Sequence, residues 1–187
     1  MKELLDEALA EGEALRWAGV SQPFKLLDGP NRRRTLVFWG VAIAVLLFLT
    51  VGYLVVCGVR GIEVKPPVFL FTVGIPALIF VDPIRDYRQV LGQIYAVTNR
   101  RALICHKNIN TPDKTRSLPI ESIDRVQRLA AFPGNQHILV GSALDGAPAS
   151  KLMRISGNGK LDKEDRLVGL VFYNLTEEDS AKVFAAV

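Results

Sequence analysis

Cysteine and histidine are scarce in this chain of 187 residues, two of each. Cys57 lies in an apolar run and Cys105 in a strand-like run, with no second cysteine or histidine at ligand spacing. Free thiols are therefore expected, rather than a disulfide framework or a zinc site. His106 and His137 are far apart and belong to no nucleophile or HExxH pattern. Glycine-rich phosphate loops are missing, and the stretch from Gly157 to Asp165 lacks the acidic frame and closing glutamate of a calcium loop. The expectation is no metal, no cofactor and no enzymatic activity. Charge of one sign is not concentrated either. Residues 1–34 carry six basic and six acidic groups, residues 35–81 two and one, and residues 82–187 fifteen and twelve. Without a basic, aromatic-interleaved face, nucleic acid is not an expected partner.

What the chain does have is apolar length. Thr35 to Val59 is 25 residues without a charge, about 37 Å as a helix, against a hydrocarbon core of about 30 Å. The run starts too far into the chain, and is too long, for a signal peptide. A second uncharged run, Val68–Val81, follows Pro66-Pro67, contains Pro76 and is closed by Asp82-Pro83. At about 21 Å it needs the proline pair and Ile84 to cross, and a re-entrant segment competes with a full span. A two-helix membrane hairpin over residues 35–84 is the expected arrangement. Lys25, Arg32, Arg33 and Arg34 precede it, and Arg85, Arg88, Arg100 and Arg101 follow it, whereas the connecting loop holds Arg60 and Lys65. That imbalance places both termini in the cytoplasm.

Residues 1–34 form the expected N-terminal segment. Leu4, Leu5, Ala8 and Leu9 recur at helical spacing opposite Glu3, Asp6, Glu7 and Glu11. An acidic polar face of this kind favours packing on the protein over adsorption to anionic lipid. The turn-rich stretch Ala18–Asn31 is expected to be a connector.

After Ile84 the pattern changes to short strand-like pieces: Gln93–Thr98, Ala102–Lys107, Thr115–Pro119, Ile123–Ala130, His137–Ala143, Lys151–Ile155 and Leu167–Asn174. Turn signals separate them, including Asn99-Arg100 and the stretch Lys107–Lys114 with Pro112. The chain closes on a helix with Thr176 as N-cap and Asp179 in the reciprocal capping-box position. Ser180, Val183, Phe184 and Val187 share one face of it, so Phe184 is expected to be buried over the strand ends. A small barrel of seven strands capped by one helix follows, and residues 93–187 are expected to fold on their own.

The string Tyr95-Ala96-Val97-Thr98-Asn99-Arg100-Arg101-Ala102-Leu103-Ile104 resembles the signature that opens the pleckstrin-homology-like domains of small bacterial inner-membrane proteins. Gly12-Glu13-Ala14-Leu15-Arg16-Trp17-Ala18-Gly19 is similar to the element those proteins carry before their hairpin. The chain departs from the pattern in its short second apolar run and in Gln22-Pro23. The resemblance implies a cytoplasmic domain, residues 85–187, with a mainly-β PH-like fold, tethered to the bacterial inner membrane as a binding or scaffold module. A structural accessory subunit packing through its hairpin is the alternative. Membrane lipids and a protein partner are the implied partners. Candidate headgroup or anionic-ligand residues are Arg100 and Arg101 in the first hairpin turn, and Arg32, Arg33, Arg34, Arg85 and Arg88 near the headgroup level.

Overall fold

The uncharged run from Thr35 forms the body of one helix, α2 (Asn31–Arg60), which a short helix α1 (Lys2–Ala8) and a strand β1 (Leu15–Val20) precede in the chain. This computed structural model describes residues 2–29, 31–106 and 115–187. A second long helix, α3 (Pro66–Leu91), returns beside α2. It starts on the proline pair, where a missing N–H donor costs nothing in the first helical turn. Both helices are long and apolar enough to cross a membrane. Their outer faces leave Phe48, Leu70, Phe71 and Leu78 exposed. Three contacts mark the antiparallel register. Lys65 N–H donates to Tyr53 Oη (2.7 Å), Trp39 stacks on Phe80 with centroids 4.9 Å apart, and Arg34 pairs with Asp86 (3.0 Å).

The second helix is longer than the run Val68–Val81 suggests, because it continues through Pro76 and Pro83. Trp39 Nε1 donates to the Phe80 carbonyl at 3.1 Å, tying α2 to α3 about one turn before Pro83. Beyond Pro83, Asp86 and Val90 are buried and Tyr87 packs against the core of the β region. The helix is carried past the apolar run by burial at its end.

Among the described residues, eight strands form two antiparallel sheets of four. The first has the order β1, β2 (Gln93–Thr98), β3 (Arg101–His106), β4 (Thr115–Pro119). The second runs β5 (Val126–Ala130), β6 (Asn135–Val140), β8 (Leu167–Thr176), β7 (Lys160–Leu161). No strand pairing closes the sheets into a barrel among the described residues. The main core lies between them, with Tyr95, Val97, Ile104, Leu118, Ile138, Val140, Leu170 and Phe172 fully or almost fully buried. On the outer face of the first sheet, Ile94, Ala96, Leu103 and Cys105 form a second cluster with Leu5 of α1, so β2 is buried on both sides. The expected turn Lys107–Lys114 lies outside the described residues.

Three sequence expectations change here. First, the start of the expected connector, from Ala18 to Val20, belongs to a strand. Leu15–Val20 pairs with β2, and Trp17 stacks on Phe172 at 5.9 Å. A Cβ on Gly19 would lie 2.5 Å from the Trp17 ring, so the glycine makes room for the indole. Second, Lys151–Ile155 lies in a helix, α4 (Ala149–Asn158), that buries Leu152, Met153, Ser156 and Gly157. A short apolar run has no period long enough to separate strand from helix, and here the inward positions fall at helical spacing. Third, the closing helix α5 (Glu177–Ala186) is capped as expected, with Asp179 N–H donating to Thr176 Oγ1 at 3.0 Å. It buries Ser180, Val183 and Ala186, while Phe184 is 37% exposed and lies 4.4 Å under the Arg128 guanidinium. With Ser180, Val183 and Ala186 facing the core, position 184 turns toward Arg128 of β5.

Candidate functional site

The two arginines of the first hairpin turn have different surroundings. Thr98 Oγ1 accepts from the backbone N–H groups of Arg100 (3.2 Å) and Arg101 (3.0 Å) and donates to Glu13 Oε1 at 2.6 Å. Arg101 grips the same carboxylate with two bonds of 2.9 Å and donates to the Ala8 carbonyl. Bidentate pairing of this kind is strong and directional. It holds the Glu13 carboxyl far below its ordinary range, at about 2, the Arg101 hydrogen bond outweighing the opposing effect of burial. Asn99 adds a bond from Ala14 N–H to its Oδ1 at 3.0 Å. The two motifs that carried the family resemblance thus meet as a clamp between the N-terminal segment and the first sheet. Arg101 is committed to that clamp, and Arg100 is exposed.

A second set joins the hairpin to the β region. Asn31, the first residue of α2, is buried and donates from Nδ2 to Tyr173 Oη at 2.7 Å. Arg34 is bound to Asp86, whose side chain is 2% exposed. Tyr87 Oη donates to the Phe24 carbonyl at 2.9 Å, and Phe24 packs edge-on against the Tyr87 ring. Phe24 also contacts Phe132 and Tyr173, and Tyr173 lies 4.1 Å from the His137 ring. Burial depresses the His137 pKa to about 3, and burial, outweighing the Asn31 hydrogen bond and the Arg34 charge, raises that of Tyr173 to about 12. Helix α4 adds a third connection: Gln89 Nε2 donates to Gly157 O and Gln93 Nε2 to Ser156 O. Gln93 Oε1 accepts from both Tyr95 Oη and Ser156 Oγ.

The third set is a groove. Where α3 leaves its apolar run, Val81, Ile84, Arg85, Arg88, Gln89 and Gly92 line a cavity of about 330 Å³ with His106 from the end of β3. Arg85 pairs with Asp82 one turn earlier. His106 is almost fully buried, and burial, then the charge of Arg116, lowers its pKa. Among the described residues no group of three or more His, Cys, Asp or Glu side chains is placed to hold a metal ion.

Of the seven arginines singled out from sequence, Arg85 and Arg88 line a common cavity. Arg34 and Arg101 serve ion pairs, and Arg32, Arg33 and Arg100 are exposed elsewhere. Sequence reasoning missed Gln89 and His106. Ile84, Tyr87 and Leu91 recur at helical spacing, a signal that the helix passes Pro83 and brings Gln89 along. Nothing local marks His106, which joins the groove through strand pairing. No family model matches the chain, and no curated protein and no solved structure matches it.

Proposed function

We propose that the chain is a membrane-anchored, non-catalytic binding or scaffold module of PH-like type, whose hairpin crosses the bacterial inner membrane and whose two sheets lie at the cytoplasmic face. The observation that carries this reading is the junction. The first turn of α2 and the last turns of α3 are built into the β region and the segment before α2 through Asn31–Tyr173 and Tyr87–Phe24, and Arg34–Asp86 fastens the two helices to each other at that point. A domain tied at both ends of a hairpin is held at a fixed attitude to the bilayer, as suits a module that presents a surface near lipid. The order of strands followed by a capping helix supports the PH-like assignment, and the excess of basic residues flanking the spans supports the orientation.

Reporter fusions at Val187 test the topology. Cytoplasmic GFP fluorescence is expected, and alkaline-phosphatase activity without it would overturn the orientation. The accessory-subunit reading has its own support in an outer groove of α3, about 580 Å³, lined by Pro67, Leu70, Phe71, Gly74, Ile75 and Leu78. Photo-crosslinkers at Leu70 and at Arg128, in native membranes, separate the two. A protein adduct at Leu70 alone favours the subunit, and one at Arg128 favours the scaffold.

A further inference from the structure

We propose that the groove at the cytoplasmic end of α3 holds the phosphate headgroup of an anionic phospholipid. The proposal rests on the membrane-anchored reading above. Val81 ends the uncharged stretch of the helix, and Arg85 and Arg88 follow it by about 6 and 10 Å of helix rise. That interval covers the headgroup layer, about 5–8 Å on each side of the hydrocarbon core, and long arginine side chains reach back toward it. Val81 and Ile84 therefore face acyl chain while the cations face phosphate.

The composition of the groove suits this occupant. Arg88 is exposed and forms no ion pair among the described residues. Arg85 shares its charge with Asp82. His106 stands in the wall as a neutral imidazole at physiological pH, because burial and the Arg116 charge disfavour its protonation; in that form one ring nitrogen still donates a hydrogen bond. Gln89 binds the Gly157 carbonyl with its amide nitrogen at 3.1 Å and so ties this wall to α4. The volume of about 330 Å³ is at the low end for ligand sites, about 300–1,000 Å³, enough for a headgroup while the tails lie along the open helix. Charge complementarity and continuity with the apolar face of α3 together favour a lipid over a soluble anion.

The test uses the full chain in neutral detergent, titrated with short-chain phosphatidylglycerol, the matching phosphatidylcholine, and inorganic phosphate, with melting temperature and binding isotherms as readouts. Phosphatidylglycerol is expected to raise the melting temperature and to bind roughly tenfold tighter than phosphatidylcholine. Arg88→Gln should remove that preference, Arg88→Lys should keep part of it, and Arg33→Gln, an exposed cation outside the groove, should leave it intact. Equal losses in Arg33→Gln and Arg88→Gln would assign the effect to diffuse surface charge and overturn the site. So would phosphatidylglycerol binding no better than phosphatidylcholine, or inorganic phosphate alone stabilising as much as the lipid. Failure of the anchoring reading would show separately, as absence of the chain from washed membranes.

Discussion

At the scale of single residues, the closing helix separates packing from proximity. Val183 is fully buried, whereas Phe184 keeps about a third of its surface in solvent and rests on Arg128. Val183→Ala should therefore cost roughly 1.5–3 kcal/mol of stability, and Phe184→Ala only about 1 kcal/mol, the scale of an exposed cation–π contact with some lost burial. Thermal melts of the two variants check the order, and a larger loss at Phe184 would contradict the observed helix rotation. Two other residues set the acid response. His137 is buried with its pKa near 3 against an ordinary 6.5. The unfolded chain then takes up a proton that the folded chain refuses, and stability falls as pH drops from 6.5 toward 3. Glu13 has a folded pKa near 2 against 4.5, so the stabilisation by its clamp is complete above 4.5 and is lost as pH falls toward 2. Stability from denaturant melts across pH 7 to 2 should fall in a first stage below 6.5 and in a second, steeper stage once pH drops below 4.5. His137→Phe should flatten the first stage and Glu13→Gln the second.

At the scale of elements, β1 decides what counts as the domain. It pairs along β2 and contributes Trp17 to the core, while Arg16 donates to the Ala186 carbonyl at 2.9 Å and anchors the end of α5. Phe24 and Val90, also outside residues 93–187, belong to the same core. A fragment beginning at Gln93 exposes the unpaired edge of β2 and leaves spaces where these side chains sit. Large-to-small deletions of core side chains each cost about 2–5 kcal/mol, a large part of the usual 5–15 kcal/mol. The fragment is expected to show no cooperative melt by circular dichroism, and one as steep as that of the full chain would show that β1 is dispensable. Gln93–Thr98 is legible as a short apolar run bounded by turn residues and not by alternation, since β2 is buried on both faces. β1 carries no local mark because the hairpin separates it from its partner, and the two-residue strand β7 is too short to carry any pattern.

For the whole molecule, the controlling contact is the buried pair Arg34–Asp86, which locks the two long helices where they enter the β region. Arg34→Gln leaves the Asp86 charge buried without its partner and should cost about 3–5 kcal/mol. The double variant Arg34→Gln, Asp86→Asn should recover part of the loss. Melting of the full chain in detergent gives the comparison, and an unchanged midpoint for Arg34→Gln would mean that the hairpin and sheets do not melt as one unit.

Local chemistry in the sequence by itself determined the apolar helices, the β character of the region after Ile84, the capped final helix and the scarcity of metal-binding and nucleophilic patterns, because each depends on residues near one another in the chain. Tertiary structure alone decided that Glu13 and Arg101 meet, that Leu15–Val20 is a strand, that α3 outlasts two prolines and that Arg88 shares a groove with His106. Those outcomes depend on burial against residues distant in sequence, which compensates for costs, such as a proline inside a helix, that local propensity counts against the element.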